Sequence, residues 1–275
     1  MQRIITLTTD FGYTDYYVGV LKGKIYSNIQ NCNVVDISHG VRNYRVADAG
    51  FVLSMAYSHF PKGTIHILSV ASAILPFSAA ICVKYQDHYF IGTDNGAIAV
   101  ALGTHEFEEA VAINHVEGMS TNDVFVYCAY QLCEGKELQA IGQPIDSLYK
   151  MNLLLENLTV KPNLIIGTYV YEDKFGNLVT NISRELFEQV GRGRNFGIRI
   201  KNRTITKINE YYADFNVNDP SELLNKAGEL LALFNEVGQL VVAIMYSTTN
   251  EPGGSIRTLL GVHLEDQLFI EFSEE

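Results

Sequence analysis

The hydrophobic period switches back and forth along the first seventy residues, and that alternation limits the N-terminal half to few folds. Residues 4–8, Ile-Ile-Thr-Leu-Thr, form an apolar, β-branched run that reads as a buried strand. From Asp15 onward Val18, Leu21, Ile25 and Ile29 recur at helical spacing. Residues 34–37 are strand-like again. Val46, Ala49, Leu53, Ala56 and Phe60 then return to the helical spacing, closed by Pro61-Lys62-Gly63. Residues 64–70 read as a third strand, 80–84 and 88–92 as two strands around a polar turn, and Val124, Cys128, Ala129 and Leu132 as a helix ended by Gly135. Strand–helix–strand order calls for crossovers, so a mostly parallel sheet flanked by helices is predicted. Ligands of such sheets bind beyond the carboxyl ends of the strands. The loops after Thr8, Ile37 and Val70, and the one around Thr93, are therefore where a site is expected.

Past residue 163 the pattern becomes short strands with tight turns: 164–172, 178–182, 196–200, 230–234, 240–245 and 268–272, with helical pieces near 183–190 and 256–260. The predicted organisation is an α/β domain over 1–150, a linker over 151–162, and a smaller, mainly-β, barrel-like domain over 163–275.

Charge and composition remove several classes of partner. The 275 residues include 31 acidic against 20 basic, a formal net charge of −11. A nucleic-acid or anionic-membrane surface needs the opposite sign. No apolar run nears the roughly 18–20 residues of a membrane span, and the first residues lack the pattern of a secretory signal. Cys32, Cys82, Cys128 and Cys133 form no Cys-x-x-Cys pair and have no histidine cluster beside them, so no metal site is expected. Reduced, buried thiols in a cytoplasmic protein are predicted.

Two short stretches carry candidate chemistry. Asp10 follows the first strand and precedes Phe11-Gly12. Its carboxylate can accept two hydrogen bonds from a sugar diol, or serve as a turn or helix-capping residue. Asp173-Lys174-Phe175-Gly176-Asn177 lies between two apolar strands. It reads as a hairpin turn, or as an aromatic ring for base stacking beside an amide for an adenine edge.

Taken in order, several segments resemble one family. TTDFGYTDYYVGVLKGKI over 8–25, VVDISHGV over 34–41, FPKGTIHI over 60–67, GTDNG over 92–96, DKFGNLVTNI over 173–182 and ALFNEVGQL over 232–240 are similar to segments of the S-adenosyl-L-methionine hydroxide adenosyltransferases, the family that also holds the fluorinase and chlorinase. The resemblance implies an N-terminal α/β domain and a C-terminal β-barrel. It also implies a homotrimer whose sites lie between subunits, and a small adenosyl ligand, S-adenosyl-L-methionine, as substrate or ligand with no separate cofactor. By the same resemblance Asp10 holds the ribose hydroxyls, Phe175 packs on the adenosyl group, Asn177 bonds adenine, and Asp173 stands near the methionine amino group.

The resemblance breaks at the reacting end. Where hydrolysing members of the family carry an Asp and an Arg, this chain has Ala71 and Ser78 or Ala79; where they carry a His, it has Ser120; and Asn122 replaces a further Arg. Glu236 stands where the family has a Ser. Substitute groups are sought in Ser72, Ser120, Thr121 and Asp123, with His39, His66 and His115 as further candidates. Asp123 reads equally as the N-terminal charge of its helix. The expected function is S-adenosyl-L-methionine binding with cleavage by a remodelled site, or, alternatively, non-catalytic nucleoside binding or sensing.

Overall fold

The computed structural model describes residues 3–72, 79–103, 106–114, 117–151, 157–217, 219–249 and 254–274. The chain divides into two compact units, Met1–Asn152 and Leu153–Glu275.

In the first unit the chain runs β1 (Arg3–Thr9), α1 (Tyr17–Asn28), β2 (Cys32–Ser38), α2 (Val46–Ala56), β3 (Ile65–Ser69), β4 (Ala80–Tyr85), β5 (His88–Thr93), α3 (Ala97–Leu102), β6 (Glu109–Ile113), α4 (Thr121–Cys133), α5 (Leu138–Ile141) and β7 (Gly142–Pro144). The sheet order is β2-β1-β3-β5-β4-β6-β7. β2, β1, β3 and β5 pair in parallel, as the crossover reading requires. β4 turns back against β5, and β6 and β7 extend the sheet antiparallel, so the whole is a mixed sheet with its parallel strands on one side and its antiparallel strands on the other.

Strand alternation sends side chains to two faces. Ile5, Leu7, Ile65, Ile67, Cys82, Ile91 and Val111 pack with Leu21 and Ile25 of α1 and with Phe125 and Cys128 of α4. Leu68, Ile81, Val83 and Phe90 pack with Ala49 and Leu53 of α2 and with Ile98 and Ala101 of α3. Helices therefore cover both faces, and the inner parallel strands β1, β3 and β5 are buried on each side, the arrangement their near-continuous apolar character demands.

On the second face α2 crosses α3 at Gly50. A Cβ built there would stand 2.5 Å from Val100 Cβ and closer still to the Ala97 carbonyl oxygen. Alanine favours a helix over glycine by about 1 kcal/mol, but overpacking against backbone costs about 1–3 kcal/mol. Gly50→Ala is expected to lower the thermal midpoint; a raised midpoint would mean that the helices separate freely.

The second unit contains β8 (Thr159–Lys161), β9 (Leu164–Glu172), β10 (Leu178–Ser183), α6 (Arg184–Gly191), β11 (Phe196–Ile200), β12 (Arg203–Ile205), a 3-10 turn (Pro220–Lys226), β13 (Leu230–Phe234), β14 (Gln239–Ile244), α7 (Ile256–Leu260) and β15 (Gln267–Phe272). Its antiparallel order is β12-β11-β15-β9-β10-β14-β13, with β8 on β9. A parallel bridge between Asn209 and Leu233 brings the chain after β12 to the far edge of β13, so the sheet nearly closes as a barrel. Inside lie Ile165, Tyr169, Leu178, Ile182, Ile198, Leu240, Val242, Leu268 and Ile270. Among the described residues no helix of the chain is long and apolar enough to cross a membrane.

Candidate functional site

The first unit has a topological switch point. From β1 the chain crosses through α1 to β2 on one side, then through α2 to β3 on the other. Loops at the carboxyl ends of β1 and β3 consequently part in opposite directions and leave a crevice. A cavity of about 630 Å³ opens there, within the usual size of a small-molecule site. Asp10, Phe11, Asp15 and Tyr17 line it from the β1–α1 side, Asn43 and Tyr44 from the loop before α2, Ser69, Ala71 and Ser72 from the end of β3, and Met119, Ser120, Thr121 and Asn122 from the start of α4. Three of the four loops expected from the strand pattern are represented.

Asp10 sits at the mouth of this cavity on a tight turn. Gly12 has φ +67°, and its N–H donates to the His39 carbonyl at 2.7 Å. The Tyr44 N–H donates to Asp10 Oδ2 at 2.9 Å, with Tyr44 itself at φ +63°. Asp10 Oδ1 has no hydrogen-bond partner among the described residues. The loop carrying Tyr44 is pinned by Arg42, whose guanidinium grips the buried Asp48 in the first turn of α2 through two hydrogen bonds. Of the described lining residues only Asp10 and Asp15 are charged groups at neutral pH, and none is Lys, Arg or His. Such a lining attracts a cation and repels an anion.

The remaining candidates have defined local roles. Ser120 caps α4. Its hydroxyl oxygen accepts from the Asp123 N–H at 3.3 Å, and the Asp123 carboxylate accepts from the Ser120 N–H at 3.1 Å, a reciprocal capping box. The Lys24 ammonium lies 2.6 Å from Asp123 and ties α1 to α4. Lys24 and Ser120 together hold the Asp123 carboxyl below its ordinary value. The Ser72 hydroxyl makes one long hydrogen bond, 3.4 Å to the Val70 carbonyl. Ala71 adopts φ +52°. Ser69, almost fully buried, donates to Asn122 Oδ1 at 2.9 Å across the floor. Asn95, from the GTDNG stretch, supports the same loop by donating to the Val70 carbonyl at 3.0 Å. His39 lies beneath the Asp10 turn, outside the lining, while His66 is buried in the α2-side core. Ser78 and His115 lie outside the described residues, and Ala79 accepts the Asp94 N–H at 2.8 Å through its carbonyl.

In the second unit Asp173 organises the turn between β9 and β10. One carboxylate oxygen accepts the N–H groups of Phe175 and Asn177, both at 2.9 Å, and the other accepts the Asn177 side-chain amide at 2.9 Å. Gly176 takes φ +77° against Ser255, where a side chain has no room. The result exposes the Phe175 ring, 64% accessible, and turns the Asn177 amide so that its buried oxygen has no partner. Glu236 is exposed on the β13–β14 turn. Among the described residues no group of three or more His, Cys, Asp or Glu side chains is arranged to hold a metal ion.

The family profile for the SAM hydroxide adenosyltransferase N-terminal domain matches residues 5–142, and that for the C-terminal domain matches residues 167–269. The chain belongs to the SAM hydroxide adenosyltransferase family. Its similarity to curated members of that family is distant but long. It is 24% identical to an (R)-S-adenosyl-L-methionine hydrolase of Salinispora tropica over 96% of both chains. A fluorinase of Actinopolyspora mzabensis is 22% identical over 92% of this chain and 96% of its own. The crystal structure of an uncharacterized conserved protein from Thermotoga maritima, 26% identical, superposes with a TM-score of 0.79 over 97% of this chain and 99% of its own.

For this SAM hydroxide adenosyltransferase family member, sequence reasoning singled out Asp10, Ala71, Ser72, Ser120, Thr121 and Asn122, which the fold brings to one cavity. It did not single out Asp15, Tyr17, Asn43, Tyr44 or Ser69. Asp15 and Tyr17 had a signal, since they open the helix directly after the Asp10 turn. Tyr44 had none, because its place depends on a positive φ that tyrosine rarely adopts.

Proposed function

We propose that this chain binds S-adenosyl-L-methionine by its adenosyl group in the cavity at the ends of β1 and β3. Asp10 carries the reading. Its carboxylate stands at a switch-point cavity with one oxygen oriented by the Tyr44 N–H and the other unpartnered, the acceptor pair that a 2′,3′-diol requires. Among the described lining residues two are carboxylates and none is basic, which further favours a sulfonium cation over an anionic ligand.

Phe175 and Asn177, supplied by the C-terminal unit of a neighbouring subunit in a homotrimer, complete the proposed site. The unpartnered Asn177 oxygen suits the exocyclic amine of adenine. Asp173, whose two oxygens are spent within the turn, serves as its scaffold. Tyr13, Tyr16, Tyr17 and Tyr44 in the first unit and Phe175 in the second are large exposed rings that such an assembly would cover. A cytoplasmic setting agrees with four free cysteines.

The proposed reaction is attack of water at C5′. A C5′–O bond forms, the C5′–S bond breaks with its electron pair going to sulfur, methionine leaves as a neutral thioether, and the attacking water gives up its proton to the surrounding solvent. Ala71 and Ser120 offer no charged or basic group to poise that water, so turnover is expected to be slow. The same feature supports a second reading, a nucleoside-binding protein without turnover. Incubation with S-adenosyl-L-methionine, followed by chromatography and by calorimetry, separates them. Adenosine appearing in proportion to enzyme supports hydrolysis; heat of binding without product supports the second reading; neither heat nor product removes both.

A further inference from the structure

We infer that His39 is a positioning residue for this site: through the Thr9 hydroxyl it holds the turn that presents Asp10. The inference rests on the nucleoside reading of the cavity. Thr9 ends β1 immediately before Asp10, and both Thr9 (0% accessible) and His39 (1%) are closed off from solvent. His39 Nδ1 lies 2.7 Å from Thr9 Oγ1. The Phe11 N–H donates to that same oxygen at 3.3 Å, and the Gly12 N–H donates to the His39 carbonyl. His39 therefore reaches the residues on either side of Asp10 without lining the cavity itself.

The far edge of the imidazole is also fixed. Its Nε2 stands 3.1 Å from Asp36 Oδ1, off the axis of a good hydrogen bond. The Tyr13 ring lies edge-on to the imidazole at 5.0 Å. Asp36 is anchored in turn by Lys22 at 2.6 Å and the Tyr13 hydroxyl at 3.4 Å. Burial pushes the Asp36 carboxyl up, but the contacts from Lys22 and His39 outweigh it and leave it below its ordinary value.

The donors settle the direction of the chain. The Phe11 N–H donates to one lone pair of Thr9 Oγ1, so the direction of the Thr9–His39 bond is set at the other edge of the ring, and with the ring proton on Nε2 the Thr9 hydroxyl donates to Nδ1. An ionised Asp36 accepts only, so the ring proton belongs on Nε2. No donor then faces a donor. A ring protonated on Nδ1 instead keeps a bond to Thr9, as donor, but sets the bare Nε2 lone pair against the Asp36 carboxylate, acceptor against acceptor. The purpose of such a brace is tolerance: two hydroxyls meet one carboxylate only if that carboxylate is held to about 0.5 Å.

Two measurements test this. Nitrogen-15 shifts of the histidine rings at neutral pH should show His39 protonated on Nε2; the Nδ1-protonated tautomer would overturn the direction assigned to the Thr9–His39 bond. Calorimetry with adenosine should show Thr9→Val, isosteric but without the hydroxyl, and His39→Leu each binding about tenfold more weakly. His39→Asn, whose side-chain oxygen can accept from Thr9 in place of Nδ1, should stay within about threefold of wild type. Wild-type affinity in Thr9→Val overturns the inference while leaving the nucleoside reading intact. A wild type that binds no adenosine overturns that reading, and this inference with it. Should His39→Leu fail to fold, Thr9→Val decides.

Discussion

Asp10→Ala is expected to weaken adenosine binding about 100-fold. Two hydroxyls donating to one carboxylate form charge-assisted bonds worth about 1.5 kcal/mol each, and about 3 kcal/mol is two decades of affinity. Asp10→Asn keeps one acceptor and should lose about tenfold. The ligand can be trimmed instead of the protein: 2′-deoxyadenosine should bind wild type about tenfold more weakly than adenosine, and should bind Asp10→Ala no differently from adenosine. That closed cycle assigns the energy to the Asp10–ribose pair and not to a general loosening. Loosening is the alternative to guard against, because Asp10 also receives the Tyr44 N–H. The loop bearing Tyr44 keeps its separate anchor in the Arg42–Asp48 pair, so the thermal midpoint should change little. Unchanged affinity in Asp10→Ala, measured by calorimetry, would show that the ribose is held elsewhere or not at all.

The parts of this fold that could be read ahead of the structure are those where local pattern and tertiary role agree. β1, α1, β2, α2 and β3 announce themselves because the apolar period changes at each boundary and each element buries one or both faces. α3 does not: Ala97–Leu102 is apolar on every side and largely buried, so it has no period to detect. β7, β8 and β12, three residues each, are too short to show alternation and exist because a neighbouring strand offers hydrogen bonds. The antiparallel extension of the first sheet was half visible, in the β4–β5 turn, but the placement of β6 beside β4 was not. At the site the same division holds. The carboxyl-end rule located Asp10, Ala71 and Ser72, and the Ser120–Asp123 spacing is that of a helix cap. His39 was visible only as a histidine beside a strand. Its partner Thr9 is thirty residues away in the chain and becomes adjacent only when β1 pairs with β2.

Between pH 6.5 and pH 4.5 the first unit is expected to lose about 2–3 kcal/mol of stability through a single buried histidine. His66 is 0% accessible. Its Nδ1 lies 2.7 Å from Thr6 Oγ1 and its Nε2 3.1 Å from His88 Nδ1, and its ring stacks on Phe90 with centroids 5.1 Å apart. Burial, and after it the neighbouring His88, push the His66 imidazole down to about 3 from its ordinary 6.5. The sign follows from proton counts. Below 6.5 the unfolded chain binds a proton that the folded chain refuses, so stability rises with pH. The contribution is complete above about pH 6.5 and is lost progressively as pH falls toward 3, at about 1.4 kcal/mol per pH unit. His88 is shifted the same way by its own burial and adds to the slope. Asp36 and Asp123 are held below 3.8 and release their share only at lower pH, while Asp94, pushed up by its burial, takes up its proton earlier in the folded chain and offsets part of the loss, so the loss between 6.5 and 4.5 comes from the histidines. Denaturant titrations at the two ends of that window should show the difference, and His66→Phe, which keeps an aromatic ring against Phe90, should be less stable at pH 7 yet lose markedly less on acidification. Equal acid losses in the variant and in wild type would mean that His66 carries its proton within the fold, and that the core around it is wetter than its burial implies.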